Sequence, residues 1–179
     1  MGALLYLAQP SVVNWGGYWS DVPQSAAVVA IGFALRPEYW AASRWRAPVP
    51  VVAAGVAAGY LLQSAFIRWD PVAERRVHVT LLLFVMLVVL VPILEELFFR
   101  ALLLRGVIYR IGLIWGVVIV DAVWAWAHPI AWIAAIQGLV LCAVYLWAED
   151  SVGASAICHA SMSAVILFPQ WSLFPLLRR

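Results

Sequence analysis

The sequence has few charged residues and no lysine. Only 11% of its 179 residues are charged, whereas soluble domains carry roughly 25%. The net charge is +2, and the arginines are scattered along the chain rather than clustered. The sequence therefore lacks the basic stripe of a nucleic-acid-binding protein, and no nucleic-acid partner is expected.

Cysteine motifs are also missing, and the first residues do not resemble a cleaved signal peptide. Cys142 and Cys158 lie in apolar runs without metal or redox spacing, so both are interpreted as small buried apolar residues. The first residues lack the positive charge of a secretory signal, since the first arginine is Arg36. We expect this stretch to lie at a membrane interface, with Trp15 and Trp19 among the lipid headgroups.

Apolar residues are abundant instead. They make up 66% of the chain, against about 45–50% in soluble domains. A soluble chain this short could not bury so much apolar surface, so lipid is predicted as the solvent of most residues. The predicted fold class is an all-α, polytopic membrane helix bundle. The expected location is a bacterial cytoplasmic (inner) membrane, because a lysine-free, tryptophan-rich composition is typical of GC-rich bacterial genomes.

The chain contains about six candidate transmembrane helices. A span needs about 20 mostly apolar residues, and the first candidate is shorter than the others. The predicted spans are about Gln24–Tyr39, Val49–Ile67, Val77–Arg105, Ile111–His128, Ile130–Trp147 and Val152–Phe168. The connections are short and polar, so 1–179 is predicted to be one integral-membrane domain.

Ionisable side chains inside these spans are scarce. A charge at the bilayer centre costs at least ~2.5–3.5 kcal/mol on insertion scales, so each such residue is a functional candidate. The candidates are Glu95, Glu96, Arg100, Asp121, His128 and His159.

The two adjacent glutamates are predicted to play different parts. Glu96 and Arg100 are four residues apart, so on a helix they share a face and can pair. Glu95 lies about 100° round the helix and is left without that partner, which suits a reactive carboxylate. Pro92 comes one turn earlier and is expected to bend or restart the helix there, because it lacks an N–H.

The depth of the histidines decides whether they can meet Glu95. If the third and fourth spans form a hairpin turning near Tyr109–Gly112, Glu95 and His128 each lie ~22 Å from the turn. They are then expected at a similar depth. The same arithmetic places His159 nearer one membrane face, so it is less well placed to meet Glu95.

Two further polar positions accompany the histidines. Asp121 shares a helix face with His128, and it either orients that ring or lines a wet cavity. Ser163 lies one turn after His159 on the same face, where a hydroxyl can donate a hydrogen bond.

Activation of water is the chemistry that these groups suit. A carboxylate in an apolar pocket can act as a general base, while an imidazole shares the water. A second imidazole and a hydroxyl can donate to a developing oxyanion. Zinc is the alternative, because two histidines and a glutamate are a frequent catalytic zinc set. The HExxH spacing is absent, however, so no cofactor is the favoured prediction.

Three short motifs resemble those of one protein family. Glu95–Arg100 (EELFFR) resembles the EExxxR motif of the CAAX-protease and bacteriocin-processing (CPBP) membrane proteins, relatives of the Rce1-type prenyl-protein endopeptidase. Trp124–His128 (WAWAH) resembles the family's FxxxH motif. His159–Ser163 (HASMS) resembles its HxxxN motif. The motifs occur in the family's order, and the resemblance covers about Val77–Phe168.

The resemblance implies a glutamic-type intramembrane endopeptidase. Its four-helix catalytic core would span about 77–168, with accessory N-terminal helices in about 1–70. Glu95 would be the base for the attacking water and His128 would share that water. Glu96 and Arg100 would shape and charge-balance the site, while His159 and Ser163 would stabilise the oxyanion.

The resemblance also defines the expected partners and the open alternatives. A membrane-anchored protein or peptide would be the substrate, with the trimming of C-terminal sorting segments as one version of the reaction. Ser163 stands where the family has Asn, and a hydroxyl reaches less far than an amide. A non-catalytic immunity or binding protein of the same fold therefore stays an alternative, as does a zinc-dependent protease. Trp124 replaces the usual Phe and keeps an aromatic wall.

Overall fold

The computed structural model describes residues 16–35, 38, 44–69, 81–128 and 131–167. These residues form six helical elements and no β-strand. The elements are α1 (Gly16–Leu35), α2 (Val49–Trp69), α3 (Leu81–Ile111, in five consecutive parts), α4 (Leu113–Ala127), α5 (Ala131–Trp147) and α6 (Val152–Leu167).

The predicted spans match the helices closely. Helices α2, α4, α5 and α6 begin and end within about two residues of their predicted bounds. Helix α1 begins eight residues before the predicted Gln24. The expected interfacial segment 1–15, residues 77–80 of the third span and most of the connection after α2 lie outside the described residues.

Helix α3 is continuous but irregular. It alternates α-helix with π-helix. Its parts are Leu81–Val85 (α), Met86–Leu90 (π), Val91–Glu96 (α), Leu97–Leu104 (π) and Arg105–Ile111 (α). Pro92 stands at the start of the central α-helical part, directly after a π-turn in which the Val91 N–H donates to the Met86 carbonyl. The predicted irregularity at Pro92 is confirmed, and it sets the two glutamates between two π-segments, a frequent feature of functional sites.

Gly112 ends α3 and begins α4. Its φ of +88° lies in the region that side-chain-bearing residues rarely adopt. The predicted hairpin turn near Tyr109–Gly112 is therefore confirmed, although α3 continues six residues beyond the predicted end at Arg105.

Helix α6 is central to the packing. It lies against α2, α5 and the middle of α3, while α4 packs against α5 and α3. The core between them includes the fully buried Leu104, Val120 and Leu141. Because α3, α4 and α6 converge here, polar side chains on their inner faces come close together.

The start of α6 is fixed by its N-cap. The Ser151 hydroxyl accepts a hydrogen bond from the Ala154 N–H and donates to the Arg46 carbonyl. The preceding turn holds Glu149 and Asp150 at positive φ, and each pairs with an arginine from a distant segment, Arg44 and Arg105 respectively.

The all-α class is confirmed in the part of the chain that the structure describes. Within those ranges, no helix combines the length and the apolar character that a bilayer crossing requires.

Candidate active site

Two helices bring the central acid and imidazole groups together. The central α-helical part of α3 carries Glu95 and Glu96, and α6 carries His159. His159 Nε2 lies 3.6 Å from Glu95 Oε2, and its Nδ1 lies 3.1 Å from Glu96 Oε1. One imidazole ring therefore contacts both carboxylates, through opposite edges.

Glu96 forms a buried ion pair with Arg100. Arg100 Nε lies 3.2 Å from Glu96 Oε2, and the two side chains are 1% and 0% exposed. The Arg100 Nη2 group donates to the Gly138 carbonyl of α5 at 3.2 Å, and the guanidinium lies 4.4 Å from the centre of the Trp124 ring. The predicted pairing of Glu96 with Arg100 is confirmed.

Glu95 occupies the more open position. Its side chain is 29% exposed, against 12% for His159 and none for Glu96. Glu95 is therefore the carboxylate that an incoming molecule can reach, while Glu96 lies behind the ring.

The tautomer of His159 follows from its partners. The pair with Arg100 fits an ionised Glu96, which can only accept hydrogen bonds. The hydrogen bond to Glu96 Oε1 therefore uses a proton on His159 Nδ1, so this tautomer is inferred from the network. In the neutral ring, Nε2 then presents a lone pair toward Glu95.

Trp124 links the two histidines. Its ring centre lies 4.3 Å from that of His128 and 5.3 Å from that of His159. His128 Nδ1 is 2.7 Å from the Trp124 carbonyl oxygen. The His128 ring therefore packs against the last turn of α4, the helix that it follows. The expected aromatic wall is present, and both imidazoles lie against it.

The depth argument did not anticipate the contacts of His159. His159, which was expected to lie less favourably, contacts both glutamates. The arithmetic assumed straight helices of equal tilt. In the structure, α6 packs against the π-segment Met86–Leu90 and against Val91–Glu96, which brings His159 to the glutamates.

Two predicted residues, Asp121 and Ser163, remain to be placed. Asp121 is 8% exposed, within electrostatic reach of Arg100, while His128 Nδ1 bonds to the Trp124 carbonyl. Ser163 is partly buried one turn beyond His159.

Sequence reasoning assigned no role to Ser155 and Gly138. Ser155 lies on α6 one turn before His159 and faces Glu96, but its single proton goes to the Val152 carbonyl. Gly138 supplies the carbonyl that binds Arg100. A glycine inside an apolar helix was the one signal available for Gly138.

The described acid and imidazole groups form no three-ligand metal set. Among the described residues, no group of three His, Cys, Asp or Glu side chains is arranged to hold an ion. Glu95 and Glu96 approach opposite nitrogens of His159, whereas ligands of one zinc ion converge on a single point about 2 Å from each.

Comparison with known proteins identifies a family. Residues 77–165 match the model described as Rce1-like, the type II CAAX prenyl endopeptidase Rce1-like family. This segment is about half of the chain and contains every predicted site residue from Glu95 to Ser163. Comparisons with curated proteins and with solved structures gave no significant match. The chain therefore belongs to the Rce1-like family, which is a family of proteases.

Proposed function

We propose that this chain is an intramembrane endopeptidase that hydrolyses a peptide bond of a membrane-anchored protein or peptide. The observation that carries the proposal is the approach of Glu95, a partly exposed carboxylate, to His159 Nε2 at 3.6 Å. Membership of a protease family supports the reaction class.

The exterior of the molecule supports a membrane setting. Many large apolar side chains are exposed. Continuous exposed apolar patches are rare on soluble monomers. Examples of the exposed side chains are Ile31, Ile114, Trp115 and Trp126, each 60% exposed or more. Members of the Rce1-like family are membrane proteins.

The proposed reaction begins with removal of a proton from water. Glu95 takes that proton while the water oxygen bonds to the carbonyl carbon of the scissile peptide. The carbonyl electrons move to oxygen and form the oxyanion of a tetrahedral intermediate. As the C–N bond breaks, the proton on Glu95 passes to the leaving amine, which restores the carboxylate.

His159 is the imidazole that we assign to the same water. With Nδ1–H held by Glu96, the Nε2 lone pair can accept a hydrogen bond from a water that also contacts Glu95. A role as oxyanion donor requires a further proton on Nε2, that is, the charged ring. His128 then lines the site next to the Trp124 ring.

Glu96 and Arg100 act behind the ring. Their ion pair fixes the orientation of His159 through the Nδ1 contact. A hydrogen-bonded carboxylate is the usual device by which proteins fix the tautomer of a catalytic imidazole. Ser163 is proposed as a weak oxyanion donor.

The substrate that we propose is a protein segment that spans the membrane once. Removal of a C-terminal sorting tail is one reaction of this type.

The test incubates the purified full-length chain with a panel of single-span peptides and detects new termini by mass spectrometry. We expect cleavage that Glu95→Gln abolishes and that the exposed Glu149→Gln leaves intact. Equal cleavage by Glu95→Gln and the unmodified chain would reject Glu95 as the base.

Two companion measurements separate the alternatives. Full activity in the presence of a chelator would exclude the zinc-dependent version. An immunity or binding protein would retain its protective or binding effect in Glu95→Gln.

A further inference from the structure

Asp121 is a buried carboxylate without an assigned task. It lies on α4 with 8% of its surface exposed. Its Oδ1 atom is buried and has no hydrogen-bond partner among the described residues. An unpartnered buried carboxylate oxygen is costly, so its retention at this position calls for a compensating interaction.

Arg100 is the opposite charge that acts on Asp121. Arg100 attracts the Asp121 carboxylate electrostatically, and its Nη1 atom is likewise buried without a partner in the described part of the chain. At a buried site the effective dielectric constant is ~20 rather than ~80, so such charges interact beyond hydrogen-bond distance.

Gly138 makes this arrangement possible. A Cβ atom at residue 138 would overlap Asp121 Oδ1 and approach Trp124 Cδ1 to 2.8 Å. The Gly138 carbonyl meanwhile accepts the hydrogen bond from Arg100 Nη2. Asp121 and Arg100 therefore contact the same residue of α5.

The charged groups alternate in sign from α4 to α6. Asp121 interacts electrostatically with Arg100, and Arg100 forms the ion pair with Glu96. Glu96 in turn accepts the hydrogen bond from His159 Nδ1. A change of charge at one end of such a buried network alters the hydrogen bonds along it.

We propose that Asp121 is a positioning residue of the candidate site, which acts through Arg100 on the hydrogen bond between Glu96 and His159. Asp121 and Glu96 share the positive charge of Arg100. When Asp121 loses its charge, Arg100 binds Glu96 more strongly, and Glu96 becomes a weaker acceptor for His159. The effect on hydrolysis rests on the proposed function, whereas the effect on His159 does not.

The test reads His159 directly by nitrogen NMR of the full-length chain labelled in histidine. The sequence has only three histidines, so His159→Gln assigns the His159 signals. We expect Asp121→Asn, which keeps the shape of the side chain, to move both His159 nitrogen signals by more than a linewidth. The matched control Glu149→Gln removes an exposed carboxylate and should leave them unchanged.

A second background separates this coupling from a packing effect. In the paired background Glu96→Gln/Arg100→Gln, which removes the connecting charges without leaving a buried carboxylate unpaired, the further change Asp121→Asn should leave the His159 signals where they are. The smaller Asp121→Ser gives a second uncharged variant should Asp121→Asn fail to fold. His159 signals that are identical in the unmodified chain and in a folded uncharged variant would overturn the proposal. So would an equal shift of the His159 signals in the Glu96→Gln/Arg100→Gln background.

Hydrolysis supplies an independent readout. Loss of the positioning effect should lower kcat by roughly threefold to tenfold with KM unchanged, because Asp121 does not touch the substrate. A His159 shift in a chain that cleaves none of the peptides would support the positioning role and reject the proposed function.

Discussion

Glu96 and Arg100 form an ion pair in which neither side chain is appreciably exposed, with Nε and Oε2 3.2 Å apart. The cost of removing both charges from water is large. It is offset here by the contacts of Glu96 with His159 and of Arg100 with Gly138 and Trp124. The pair thus connects α3, α4, α5 and α6.

Removal of one partner from this pair should be strongly destabilising. Arg100→Gln leaves the Glu96 carboxylate buried without its counter-charge, which costs about 3–5 kcal/mol. Thermal unfolding of the purified chain measures the effect, with Arg110→Gln, at the exposed end of α3, as the control. A melting temperature equal to that of the control would contradict the structure. The double variant Glu96→Gln/Arg100→Gln should recover part of the loss.

The start of α6 gives a second stability prediction. Ser151→Ala removes the N-cap hydrogen bond to the Ala154 N–H and should cost about 0.5–2 kcal/mol. Ser161→Ala is the matched control, since its hydroxyl bonds only within the helix, to the Ile157 carbonyl. The same unfolding measurement compares them, and an equal loss in both variants would argue against the capping role.

The bounds of most helices could be predicted from the sequence because the apolar runs are long and end at polar or glycine-containing connections. The Glu96–Arg100 pair was predictable because it depends only on helical spacing. The position of His159 was not, since it depends on the tilt of α6 against the irregular part of α3. No local pattern in one sequence encodes that relation between distant segments.

Asp121 illustrates a second limit. Its helix face was predictable from spacing, and this left two roles open, orientation of the His128 ring or the lining of a wet cavity. The structure directs it toward Gly138 and Arg100 instead, because α5 approaches α4 closely at a glycine. A close approach of backbone leaves no signal in the sequence beyond the small residue itself.

Ser163 provides a test of the oxyanion assignment. In the proposed mechanism the Ser163 hydroxyl donates to the oxyanion, at the position where the HxxxN motif that this segment resembles has an asparagine amide. Ser163→Asn should raise kcat by about tenfold, less than the ~10²–10³ that a well-placed donor is worth, because the hydroxyl already contributes. Peptide cleavage by this variant measures the gain, and Ser161→Asn on the same helix is the control. An unchanged rate in Ser163→Asn would remove Ser163 from the site.

The most direct test of the central claim is a double-mutant cycle on Glu95 and His159, read out as kcat/KM for peptide cleavage. If both side chains activate one water molecule, Glu95→Gln and His159→Gln should each abolish nearly all activity, and the double variant should be no worse than either single variant. Losses that multiply, as for independent groups, would show that the two residues do not act together and would contradict the account.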